Sequence, residues 1–198
     1  MWYVVEADEG AKITYGVKEK ITKETLKKAI ENNTVEALLN TVNSKKGDVF
    51  FVNAGTIHAI GKGNLIVEIQ QNSNVTYRLY DYARVGKDGK LRPLHIDKGV
   101  ESAVLTPTKN TDIPTLNDGT KLIGSCEYFN VKELKLDGKY NSEADENSYV
   151  ALLAASGKFT LKCGEFCKNI TAGNTVFIPA NAGEYILEGN ATVLITTN

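Results

Sequence analysis

The feature that most constrains this chain is a single change in its hydrophobic period. Outside residues 21–43, apolar residues fall in short β-branched and aromatic runs, each closed by Gly, Asn or Ser. "DVFFVNAGTIHAI", "NLIVEIQQ" and "VTYRLYDYA" are of this kind, as are "SCEYFNVKELKL", "SYVALLAASGKFTLKC", "NTVFIPANAGEYILEG" and "ATVLITTN". Runs of this composition at such short spacing predict strands in a jelly roll or small barrel. Within residues 21–43 the period lengthens: Ile21, Leu26, Ile30, Val35, Leu38 and Leu39 recur every three to four positions. Thr22 is placed to cap a helix, and Asn32-Asn33 to break it into two. The chain is therefore expected to be all-β with a small helical insert.

A chain of 198 residues is long enough for one large β domain or two small ones, without disulfide staples. Residues 99–123, which include "TPTKNTDIPTLNDG", are poor in hydrophobics and read as an extended link. This divides the chain into a first unit, 1–98, with the insert near 21–43, and a second, 124–198. The two resemble each other. With Gly47 set on Gly173, Asn53 falls on Pro179, Gly55 on Asn181 and His58 on Glu184.

Charge and cysteine usage exclude some functions. A net charge of −1 gives no global positive field for nucleic acid or anionic lipid. No apolar run approaches a membrane span, and "MWYVV" is too short for a signal sequence, so a cytoplasmic protein is expected. Cys126, Cys163 and Cys167 are odd in number and have no adjacent histidine, which favours reduced thiols over a disulfide framework or a metal site.

Gly47, Gly55 and His58 follow the spacing G-x5-P-x-G-x2-H, with Asn53 at the proline. This resembles the second motif of cupins, in which a strand ends, glycine turns the corner and a neutral imidazole is presented to a divalent metal. The longer segment "GNLIVEIQQNSNVTYRLYDY" is similar to type I mannose-6-phosphate isomerases of the short bacterial form. "MWYVVEADEGAKITYG" and "LRPLHIDKGVES" extend the likeness in both directions. The resemblance implies two cupin-like units, the second free of metal because Glu184 stands at the histidine position. It also implies a reaction: mannose 6-phosphate to fructose 6-phosphate through a cis-enediol, assisted by Zn²⁺. By motif position, His58 would be a metal ligand, and Glu68 and Arg78 catalytic residues. Arginine suits that place because it stays cationic and offers a fork of donors to oxyanions. No organic cofactor is implied. Alternation puts Glu68 and Gln70 on one face of their strand, and Arg78 on a face with Thr76 and Tyr80.

In the family the remaining zinc ligands precede the strand that matches "MWYV". His58 is therefore expected to stand alone here, and the first unit to lack its opening strands. Exposed edge strands would then invite self-association. The alternative is a non-catalytic cupin that binds a sugar or a partner without metal.

Overall fold

The computed structural model describes residues 1–82, 84–108, 116 and 118–198. It divides into two compact units, Met1–Asn110 and Thr111–Asn198. Unit 1 contains β1 (Trp2–Ala7), β2 (Lys12–Val17), helix α1 (Lys23–Glu31), a 3-10 turn at Val35–Ala37, β3 (Leu39–Asn43), β4 (Val49–Phe50), β5 (His58–Ile60), β6 (Asn64–Glu68) and helix α2 (Ile96–Ser102). Unit 2 contains β7 (Lys121–Ser125), β8 (Asn130–Ala144), β9 (Val150–Cys163), β10 (Phe166–Thr171), β11 (Thr175–Ile178) and β12 (Gly183–Thr197).

Unit 1 holds two three-stranded sheets, ordered β4-β1-β6 and β3-β2-β5. Alternation decides what they bury: Trp2 and Val4 from β1 and Ile13 and Tyr15 from β2 pack with Phe50 in one core cluster. A second cluster forms around α1. Leu26, Ala29 and Ile30 lie on one helical face and bury against Val17, Val35, Leu39 and Val100. Thr22 caps the helix, its hydroxyl accepting from the Thr25 amide at 3.1 Å. Asn33, at φ 56, ends the segment in the left-handed region that asparagine tolerates. Leu26 is fully buried, so truncation to alanine would cost about 2–5 kcal/mol.

Unit 2 is one six-stranded antiparallel sheet, β10-β9-β12-β8-β7, with β11 also pairing β9. Its core runs from Leu134 and Leu136 through Leu152, Phe159 and Leu161 to Tyr185, Leu187 and Val193. Burial pushes the Tyr185 phenol up to about 12, against the opposing hydrogen bond from Ser142.

The two units repeat one pattern. Gly47 and Gly173 both have positive φ (87 and 85), as do Gly55 and Asn181 (83 and 60) and Gly63 and Gly189 (83 and 150), each pair at the same sequence offset. Pairings match as well: β1 with β4 and β2 with β3 are repeated by β9 with β11 and β9 with β10. The pairs β1–β6 and β2–β5 together correspond to β9–β12. One side differs. In unit 2, β12 is paired along its 15 residues by β8. No strand of the described residues takes that place beside β5 and β6.

Among the described residues the sheets remain open layers and none closes into a barrel. Three other expectations need correction. Residues 39–43 form β3 rather than a second helix, because β-branched Thr41 and Val42 find ladder partners on β2. "VTYRLYD" is not a strand, although its alternation suggests one, and its backbone bonds elsewhere. The link contains ordered elements: α2 covers 96–102 and β7 covers 121–125, while positions 109–115 and 117 lie outside the described residues.

Candidate functional site

The corner before β5 is built by glycine. Asn53–Thr56 turns with the Thr56 amide donating to Asn53 O at 3.0 Å, and Gly55 at φ 83 occupies the position a side chain disfavours. The turn delivers His58 to the start of β5, opposite Tyr15 of β2. Tyr15 is itself fixed, its hydroxyl donating to Phe51 O at 2.7 Å, and burial raises its phenol above the ordinary value.

His58 Nδ1 lies 2.6 Å from the carbonyl oxygen of Thr56. A carbonyl only accepts, so Nδ1 carries the proton and Nε2 keeps its lone pair. A backbone carbonyl on one ring nitrogen is the usual partner of a histidine that ligates metal through the other. The ring is exposed, and meets Trp2 edge-to-face at 5.2 Å. Trp2 in turn donates from Nε1 to Glu68 Oε1 at 3.0 Å, across the β1–β6 register that pairs the two residues. His58 and Glu68 therefore flank one indole on an open face, the first presenting a nitrogen lone pair and the second a carboxylate. Trp2, the chain's single tryptophan, had passed in the sequence as part of a strand.

Arg78 is placed differently. It lies in an irregular segment, and among the described residues its hydrogen bonds and ion pair are with Asp81, Pro93 and His95 rather than with His58 or Glu68. Its Nη1 donates to Pro93 O at 3.3 Å and its Nε is 3.8 Å from Asp81 Oδ1. Asp81 is nearly buried and is gripped by Arg92, whose Nε donates to Oδ2 at 2.7 Å and whose Nη2 donates to Oδ1. The Arg92 hydrogen bonds hold the Asp81 carboxyl below its ordinary value, overcoming burial, with further help from the charges of Arg92, Arg78 and Arg84. Asp81, Arg92 and His95 are functional candidates that no spacing in the sequence marks, since their partnership crosses a loop.

A divalent ion would find His58 Nε2 suitable. Among the described residues, however, no group of three His, Cys, Asp or Glu side chains converges to hold one. The cysteines are free thiols, with Cys163 and Cys167 on either side of the Gly164 turn.

Open antiparallel layers in two repeated units, with a glycine corner presenting a histidine beside a carboxylate, define a cupin-type β protein. Residues 118–198 match the family described as "Mannose-6-phosphate isomerase, cupin domain". The mannose-6-phosphate isomerase ManA of Bacillus subtilis (strain 168) is 36% identical over 204 residues, covering 98% of this chain and 62% of the relative. The mannose-6-phosphate isomerase of Streptococcus mutans is 32% identical over 197 residues, covering 98% and 61%. The crystal structure of the Bacillus subtilis mannose 6-phosphate isomerase superposes with a TM-score of 0.87 at 30% identity, covering 98% of this chain and 63% of that one. The apo mannose 6-phosphate isomerase of Salmonella typhimurium shares the fold, with a TM-score of 0.73 at 13% identity, over 100% of this chain and 65% of that one. The chain is similar over 98% of its length to these mannose-6-phosphate isomerases, and spans about 62% of the length of the curated relatives it matches.

Proposed function

We propose that this chain carries part of the active site of a mannose-6-phosphate isomerase, which interconverts mannose 6-phosphate and fructose 6-phosphate by moving a proton between C1 and C2 through a cis-enediol. The observation that supports this best is the His58 tautomer: in a chain similar to such isomerases over 98% of its length, the motif histidine keeps Nε2 free beside Glu68. Zn²⁺, when bound, would polarise the sugar oxygens and stabilise the developing oxyanion. His58 would contribute one ligand to it. Glu68 would take up or return the proton, its free oxygen lying next to the one fixed by Trp2. Arg78, permanently cationic, would face enediolate or phosphate oxygens. The substrate is a phosphorylated hexose. A cytoplasmic setting and association of copies through the β5–β6 edge belong to the same proposal; among the described residues no helix is long and apolar enough to cross a membrane.

One observation favours a second reading, a cupin that binds a sugar or partner without metal: His58 has no convergent group of donors among the described residues. A coupled isomerase assay with added Zn²⁺, with elemental analysis of the same sample, separates the two. Turnover abolished by His58→Ala, with zinc retained by the parent and lost from the variant, supports the isomerase. Absence of both turnover and zinc in the parent refutes it for this chain and leaves the binding module.

A further inference from the structure

Residues 71–77 are exposed and lie in no strand, so the segment leading into Arg78 has no ladder to order it. At Arg78 this changes abruptly. Its backbone amide donates to His95 Nδ1 at 3.1 Å, and the His95 amide donates back to Arg78 O at 2.8 Å. The next residue, Leu79, presses on Gly99 of α2, so tightly that a Cβ on Gly99 would overlap Leu79 Cδ2. His95 sits just ahead of α2, its carbonyl accepting from the Gly99 amide at 2.8 Å. The Arg78 guanidinium is tethered to the same stretch through Pro93 O, and to Asp81.

We infer that His95 is a positioning residue for Arg78, its ring nitrogen and backbone amide together fixing where the guanidinium-bearing backbone leaves the loop. This deepens the isomerase reading and rests on Arg78 serving the sugar phosphate. An amide N–H only donates, so Nδ1 of His95 must be unprotonated and its ring proton carried on Nε2. His58 has the opposite assignment, with the proton on Nδ1 facing Thr56 O. The chain's two histidines therefore hold opposite tautomers, each imposed by backbone. A ring chosen only to fill space would have no such requirement. The ring of Tyr77 lies 6.2 Å from that of His95, tilted against it.

The experiment compares the parent with His95→Asn, whose amide oxygen can accept near the Nδ1 position, and His95→Phe, which keeps a ring but no acceptor. Nitrogen-15 spectra of the parent should show one histidine protonated at Nδ1 and the other at Nε2. Phenylglyoxal modification of Arg78, mapped by mass spectrometry, should accelerate several-fold in His95→Phe and return towards the parent rate in His95→Asn. Trp2 fluorescence should be unchanged in both. Affinity for mannose 6-phosphate, measured by calorimetry, should fall about tenfold in His95→Phe, the equivalent of one lost hydrogen bond, and recover in His95→Asn. Two Nδ1-protonated histidines, or an Arg78 modification rate indifferent to His95→Phe, overturn the proposal. If the Arg78 rate responds as stated but Arg78→Ala leaves sugar-phosphate binding intact, the anchoring of Arg78 is upheld and its role in the isomerase fails.

Discussion

Two glycines of the corner motif, Gly47 and Gly55, have nearly the same backbone but very different surroundings. Both lie in the left-handed region, at φ 87 and φ 83. A Cβ built on Gly47 meets nothing within 4 Å. On Gly55 it would overlap the backbone carbonyl oxygen of Ser102 and approach Val104 Cγ2 at 3.2 Å. Alanine at 47 therefore carries only the conformational penalty, about 1–2 kcal/mol. Alanine at 55 carries that penalty plus an overlap that only backbone movement relieves, adding about 1–3 kcal/mol. The same movement strains the hydrogen bond from the Val104 amide to Gly55 O, now 2.8 Å and worth about 1 kcal/mol. The expected loss is thus about 1–2 kcal/mol for Gly47→Ala and about 2–6 kcal/mol for Gly55→Ala. Urea unfolding followed by tryptophan fluorescence reads this cleanly, because the single tryptophan, Trp2, is buried in unit 1 with both glycines. With a slope of about 1–3 kcal/mol per molar urea, the two midpoints should separate by roughly 1 M. Equal midpoints, or the lower midpoint in Gly47→Ala, would refute the assignment of the Gly55 requirement to its contact with Ser102.

Two further outcomes follow from other parts of the molecule. In unit 2, burial of Asp118 tends to raise its carboxyl, but hydrogen bonds from the Thr120 hydroxyl and amide and from Lys132 overcome this and lower it to about 2. Its folded value lies below its unfolded one, so its stabilisation is present above the usual carboxylate range and disappears as pH falls from about 4 through 2. Asp118→Asn should accordingly be less stable than the parent at pH 7 and equal to it near pH 2 in urea titrations; a gap that stays constant with pH would contradict this. On unit 1, Leu65 is 56% exposed on β6, which has no partner on its outer side among the described residues. If copies associate through this edge, Leu65→Lys should shift sedimentation towards the monomer without changing the Trp2 signal, and unchanged sedimentation of a parent that does associate would exclude this edge.

What the sequence made legible was local chemistry that backbone geometry enforces. Gly47, Gly55 and Gly173 mark left-handed positions that few other residues accept, and Thr22 and Asn33 mark the ends of a helix by capping and by tolerance of positive φ. The sequence offered His58 and Glu68 as candidates, but not the indole that lies between them, because cross-strand contact depends on register. The segment around Arg78 misled for a related reason. Valine, threonine and tyrosine in alternation fit a strand, but a strand also needs a neighbouring backbone, and here the amide and carbonyl of Arg78 are both taken by His95. Helix α2 escaped notice because it is short, has Gly99 at its centre and begins without a side-chain cap.

The internal repeat explains why the candidate chemistry lies in unit 1. At the equivalent corner of unit 2, Asn181 takes the left-handed role of Gly55, and Glu184, second residue of the following strand, stands where unit 1 has His58. Glu184 is paired across to Glu143 of β8, so that its strand has a neighbour on the side where β5 and β6 have none among the described residues. A repeat flanked on both sides by strands gains ladder hydrogen bonds and a continuous core. The corner residue is nevertheless exposed in both units, so what sets unit 1 apart is an imidazole with Nε2 unspent. The two corners thus differ in donor chemistry: His58 offers a neutral ring nitrogen in unit 1, whereas Glu184 offers a carboxylate set across from a second one, Glu143, in unit 2.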